Sequence, residues 1–162
     1  MSAHDNLRQR IAELLPRLRR FARTVAWQRE DADDLVQIAL ERALRAQDQW
    51  QEGTRLDSWL FRIMKNAWID ELRARGRRDE VLAPDGEQVG VSETGSLITR
   101  LSVEAAMARL PEEQRLAVGL VLVEGLAYKD AAEALGVPIG TLTSRLARGR
   151  EALQRMLGDG EL

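Results

Sequence analysis

The chain has 162 residues, 44% of them hydrophobic and 31% charged, which suits one ordinary folded domain or two small ones and excludes a disordered polymer. Charge is nearly balanced, with 24 Lys+Arg against 26 Asp+Glu, so global electrostatics do not announce a nucleic-acid binder. There is no Cys and a single His, His4, which removes disulfides, thiolate zinc sites, Cys nucleophiles and His-based triads together. The longest strongly apolar run, Leu116 to Val123, is too short to span a bilayer, and no charged-then-apolar leader opens the chain. A cytoplasmic protein without membrane insertion is expected.

Both halves read as helical. Leu7, Ile11, Leu14 and Leu15 recur at helical spacing until Pro16, which is tolerated as a first helical residue. A second helix is therefore expected from Pro16 through Leu18, Phe21, Ala22 and Val25 to about Trp27. Glu30, Asp31, Asp33 and Asp34 crowd the start of the next helix, where carboxylates suit the positive end of the dipole. The simpler reading of that acidic group is a helix start rather than an ion site. This helix covers about 31–46, with Val36, Leu40, Ala43 and Leu44 along one stripe. Trp50 to Arg55 reads as a loop. Asp57 or Ser58 can cap the helix that follows, which is expected to reach Arg75 before Gly76.

That helix is basic. Arg55, Arg62, Lys65, Arg73, Arg75, Arg77 and Arg78 face only Asp57, Asp70 and Glu71, and Arg62, Asn66, Asp70 and Arg73 fall on one face. Leu60, Ile63, Met64 and Ala67 form the neighbouring apolar stripe, flanked by Trp59 and Trp68. A basic helix with a polar ladder and nearby aromatics suits nucleic acid, single strands in particular. The tryptophans also suit ordinary core packing.

Residues 1–78 hold 16 basic and 12 acidic side chains, a net of +4, whereas residues 79–96 hold five acids and no base. This middle segment also carries Pro84, Gly86, Gly90 and Gly95 and reads as a flexible acidic linker. Residues 97–162 hold 8 basic and 9 acidic side chains. A helix is expected from about Ser96 to Arg109, and another from Pro111 to about Glu124, ended by Gly125. Tyr128 to Leu135, then Gly136-Val137-Pro138, then a helix from about Ile139 to Leu157, make a helix-turn-helix pattern. Ala132 is small where the helices approach, Gly136 suits a left-handed turn, and Leu142 returns to the shared core. The second helix carries Thr141, Thr143, Ser144, Arg145, Arg148 and Arg150, donors suited to phosphates and base edges. No strand is expected, so the fold class is all-α: two small helical domains, 1–78 and 97–162, joined by the acidic linker 79–96.

The ordered motifs resemble the extracytoplasmic-function (ECF) sigma factors of the sigma-70 family. Asp31-Ala32-Asp33-Asp34-Leu35-Val36-Gln37 with Ala43-Leu44-Arg45-Ala46 is similar to the family's core-polymerase-binding helix. Trp59-Leu60-Phe61-Arg62-Ile63, Asn66, Asp70-Glu71-Leu72-Arg73 and Arg77-Arg78 resemble its promoter-melting segment. Leu110-Pro111-Glu112-Glu113-Gln114-Arg115, Gly125-Leu126-Ala127-Tyr128 and Gly140-Thr141-Leu142 through Glu151 resemble its minus-35-reading domain. The resemblance implies an alternative sigma factor that binds core RNA polymerase at the beta-prime clamp and beta flap, directs it to promoter DNA, and is held by an anti-sigma factor. It assigns Asp34, Leu35, Gln37 and Glu41 to polymerase, and Trp59, Arg62, Asn66, Arg73, Arg77 and Arg78 to the minus-10 element. Unstacked bases would be held by the 50–56 loop and the Asn66 face, and the linker would imitate RNA in the polymerase's RNA path. Thr141, Thr143, Ser144, Arg145 and Arg148 are assigned to the minus-35 element. Two departures stand out: Thr143 where the family usually offers Lys or Arg, and Gly149 in place of Ala, which is expected to weaken its helix by about 1 kcal/mol.

A free-standing helix-turn-helix regulator is the alternative, but it leaves the Asn66–Arg73 ladder unexplained. An enzyme is not expected, because the sequence offers no phosphate-cradling Gly loop, metal-ligand cluster or nucleophile-base pair. No cofactor or metal is expected either.

Overall fold

A computed structural model of the chain describes residues 2–81 and 98–158, with side chains from 2–77 and 103–158. Residues 82–97, which include most of the 79–96 linker, and the side chain of Arg78 lie outside the described residues.

Leu7, Ile11, Leu18, Phe21, Ala22 and Val25 are all buried along one face of a single helix, α1 (Ala3–Ala26). Ser2 caps it, its hydroxyl accepting from the Asp5 N–H at 3.1 Å. The expected break at Pro16 does not occur, because the apolar stripe runs in register across it. The carbonyl that Pro16 leaves without a donor belongs to exposed Ala12, where water can serve it. Next, α2 (Arg29–Arg45) buries Ala32, Leu35, Val36, Ala39 and Ala43 against α1. A short 3-10 turn (Gln47–Gln49) and the loop to Arg55 lead into α3 (Leu56–Val81).

Helix α3 departs from expectation at both ends. It begins at Leu56, and Asp57 is not a free cap: its buried carboxylate pairs with two arginines. At the other end, α3 passes through Gly76 to Val81 and so runs into the segment read as linker. One glycine costs about 1 kcal/mol in a helix, which a helix anchored by packing along its earlier turns can absorb.

The second half contains α4 (Ile98–Arg109), α5 (Glu112–Val118), α6 (Tyr128–Leu135) and α7 (Ile139–Leu157). The helix expected to run from Pro111 to Glu124 instead widens after Val118 into a π turn (Gly119–Val123). There the Glu124 N–H donates to the Gly119 carbonyl and the Leu126 N–H to the Leu120 carbonyl. Gly136 takes φ +69° at the end of α6, and the Val137 N–H donates back to the Ala132 carbonyl, which turns the chain into α7 as the motif requires. Among the described residues no strand occurs.

The two halves pack directly on each other. Helix α3 lies against α6, while α1 contacts α4, α5 and the π turn, so one continuous core includes Phe21 and Phe61 together with Leu120. Arg115 joins them. Its guanidinium donates to the carbonyls of Met107, Ala108 and Leu110 at the end of α4 and to Val25 near the end of α1, at 2.8–3.3 Å. A cation placed on two helix C-termini satisfies carbonyls that have no partner within their helices.

Candidate nucleic-acid interface

Helix α3 presents Arg62, Asn66, Arg73 and Arg77 on the face opposite its buried Leu60, Met64 and Ala67, and all four are exposed. Asp70 shares that face but is paired with Arg42 of α2 at 3.0 Å, which leaves the stripe net positive. Lys65 borders it, and burial, together with nearby Arg62, lowers its ammonium from the ordinary lysine range. Trp59 is half-buried and packs on the core, so only part of its ring remains available. The loop before α3 is braced from α1, where Arg10 pairs with Glu52 at 3.2 Å and lies over the Trp50 ring.

The recognition helix α7 buries Leu142, Leu146, Gly149 and Leu153, at the helical spacing of a core stripe. A face flanking that stripe carries Thr141, Ser144, Arg145 and Arg148, which line a depression with Gln114 and Glu113 of α5. Glu113 steers Arg145 from 3.5 Å. Thr143 does not join this face. It sits on another side of α7, and its hydroxyl donates to the Ile139 carbonyl one turn back at 2.9 Å.

A third feature is the groove between α2 and α3. Exposed Asp34, Gln37 and Glu41 line its α2 wall, and Trp68, Glu71 and Arg75 line its α3 wall. Leu35 is only 3% exposed, so it forms the groove floor and belongs chiefly to the core. The α3 wall is fastened: Arg75 pairs with Asp31 at 2.7 Å and Glu71 at 3.1 Å, and lies over the Trp68 ring. The Trp68 indole N–H donates to Glu112 of α5 at 2.6 Å, and burial raises the Glu112 carboxyl above its ordinary range despite Arg115 and Trp68. Sequence reasoning missed Arg17, Arg20 and Glu124, which no motif marks: Arg20 donates to the Glu124 carboxylate at 2.7 and 2.9 Å and Arg17 to the Glu124 carbonyl at 3.0 Å, across 104 and 107 residues.

Two helical units, a basic polar helix in one and a helix-turn-helix in the other, define a DNA-reading protein of two modules. Family models agree: residues 11–65 match the sigma2 domain of PhyR, and residues 100–153 match region 4 of sigma-70. An ECF RNA polymerase sigma factor, EcfG of Rhodopseudomonas palustris, is 39% identical over 97% of this chain and 88% of its own length. SigM of Mycobacterium tuberculosis, of the same description, is 39% identical over 87% of this chain and 71% of its own. Among solved structures, the sigma factor RpoE of Bartonella quintana, in complex with the anti-sigma factor NepR, superposes with a TM-score of 0.82. That match has 35% identity and covers 96% of this chain and 99% of that one. The chain belongs to the ECF sigma factors and is an alternative sigma factor, a transcription initiation factor.

Proposed function

We propose that this chain docks on core RNA polymerase through the α2–α3 groove, at the beta-prime clamp, and through its second unit at the beta flap. The holoenzyme so formed reads a minus-10 element with Arg62, Asn66, Arg73, Arg77 and Arg78 and a minus-35 element with Thr141, Ser144, Arg145 and Arg148. The observation that carries this is the exposed stripe of Arg62, Asn66, Arg73 and Arg77 on α3. Cations spaced along a helix suit a phosphate backbone, and the Asn66 amide offers both donor and acceptor to a base that has left the stack. Capturing such bases offsets an unstacking cost of a few kcal/mol per step. Trp59 supports the stripe from beneath more than it stacks. Placing Thr143 on the minus-35 surface is not favoured, since it faces away from Arg145.

Regulation by an anti-sigma factor in the cytoplasm is part of the same reading. It is supported by RpoE with NepR, and by CnrH with the cytosolic domain of CnrY at TM-score 0.69 and 25% identity. Among the described residues no helix is long and apolar enough to cross a membrane. The test is run-off transcription from candidate promoters with purified core polymerase. Asn66→Ala is expected to abolish opening while leaving the core complex intact, and Arg145→Ala to weaken only promoters that depend on the minus-35 element. Full opening by Asn66→Ala would contradict the assignment.

A further inference from the structure

A carboxylate is out of place on a surface that meets phosphates, yet Glu113 stands on the rim of the recognition helix. Its carboxylate lies 3.5 Å from the Arg145 guanidinium, and both residues line the depression shared with Thr141, Ser144 and Arg148. The Arg145 side chain is 27% exposed and that of Glu113 61%, so the arginine stem is seated while the carboxylate is open to solvent. Protein leaves the depression unfilled. It offers about 550 Å³, and a Cβ on Gly140, which lines it, would meet nothing within 4 Å.

Two ordinary reasons for an acid fail at this position. Glu113 lies in the first turn of α5, where the helix dipole favours a carboxylate. Glu112 already fills that role, and its side chain is committed to Trp68 and Arg115, which do not line the depression. Nor does the fold need the pair, since an exposed ion pair adds little to stability.

We propose that Glu113 is a base-reading residue, which with Arg145 recognises one C·G pair of the minus-35 element by its major-groove edge. This deepens the promoter reading above and rests on it. In the major groove guanine presents two acceptors, O6 and N7, and cytosine presents its N4 amine as a donor. A guanidinium fork beside a carboxylate complements that edge: Arg145 donates twice to guanine, and Glu113 accepts from cytosine. The same two side chains reject the alternatives. With the base pair reversed, the guanidinium meets the N4 amine and the carboxylate meets O6. An A·T pair with adenine under Arg145 sets the carboxylate on thymine O4. Turned round, it gives Arg145 one acceptor in place of two. Discrimination then comes from what is repelled as much as from what is bound.

The test uses holoenzyme assembled from core polymerase and the full chain, on promoter duplexes randomised across the minus-35 element. Wild type is expected to select C·G at one position where Glu113→Ala loses about tenfold in discrimination, with the other positions unchanged. Selection retained at those positions shows that the variant is folded. Glu113→Gln, of the same size, is expected to relax the same position. An unchanged preference in both variants would overturn the proposal. So would a uniform rise in affinity for every sequence, which reports only relief of phosphate repulsion. A second arm replaces the selected cytosine by 2-pyrimidinone, which lacks the N4 amine. Wild type is expected to lose about tenfold more affinity than Glu113→Ala, because the pairing defect is common to both and cancels. Equal losses would overturn Glu113 as the reader. A wild type that selects no minus-35 sequence would overturn the promoter reading itself, and Glu113 with it.

Discussion

Gly149 and Val118 lie so close that a Cβ on Gly149 would sit 2.7 Å from Val118 Cγ2. Sequence reasoning treats Gly149 as a defect in the recognition helix. In the fold it is the position at which α7 passes against α5, and the missing side chain lets them meet. Gly149→Ala therefore sets a helix-propensity gain of about 1 kcal/mol against an overpacking cost of about 1–3 kcal/mol, for a net loss of stability. Thermal unfolding checks the sign. Val118→Ala, destabilising by itself, is expected to suppress the effect of Gly149→Ala, so the two changes are strongly non-additive.

Arg115 should behave as a structural residue despite its place in a functional motif. Its replacement by Met leaves carbonyls of α1 and α4 without donors, at an expected cost of about 3 kcal/mol in unfolding free energy. Arg115→Lys, which keeps the charge and loses the fork, is expected to recover only part of it. Denaturant unfolding separates the two variants.

Much of the architecture was legible because it is local. Gly136 and the spacing of Leu142 mark the helix-turn-helix, and the spacing of Arg62, Asn66 and Arg73 marks the exposed face of α3. Pro16 misled because a proline is a local signal, and it was overridden by an apolar stripe that continues from Ile11 to Leu18. Gly76 misled likewise. The contact of Arg20 with Glu124 was invisible for a different reason: the two residues are 104 apart, and only tertiary packing brings them together. The same holds for Trp68 and Glu112.

Asp57 gives the fold a predictable acid response. Burial opposes ionisation, but Arg55, the Ser58 backbone N–H and Arg17 outweigh it and hold the carboxyl below its ordinary 3.8. A depressed folded-state value means that the stabilisation is complete above the unfolded value and is lost as pH falls through the folded one. Wild type is therefore expected to exceed Asp57→Asn in stability by a constant margin above about pH 5, shrinking below pH 3.8. Unfolding of both proteins across this range checks it. A margin that grows toward acid would contradict the assignment.

Within the holoenzyme, Arg148 and Arg145 should separate by role. Arg148→Ala is expected to weaken promoter binding uniformly and to reduce the salt slope by about 1, as the loss of one phosphate contact does. Arg145→Ala is expected to cost about 1–3 kcal/mol and to relax preference at one minus-35 base pair. Affinity for single-base promoter variants at several salt concentrations distinguishes them.

This chain is expected to read promoters only as part of the polymerase. With a formal net charge of −2, the isolated chain has little general attraction for DNA, and each of its reading surfaces is small. The most direct measurement is fluorescence anisotropy of a labelled promoter duplex, titrated with the chain alone and with the chain plus core polymerase at the same salt. No sequence-specific binding is expected from the chain alone, and specific binding, competed only by promoter DNA, is expected once core is present. Tight specific binding by the chain alone, unchanged by core, would contradict it and make the protein a free-standing regulator.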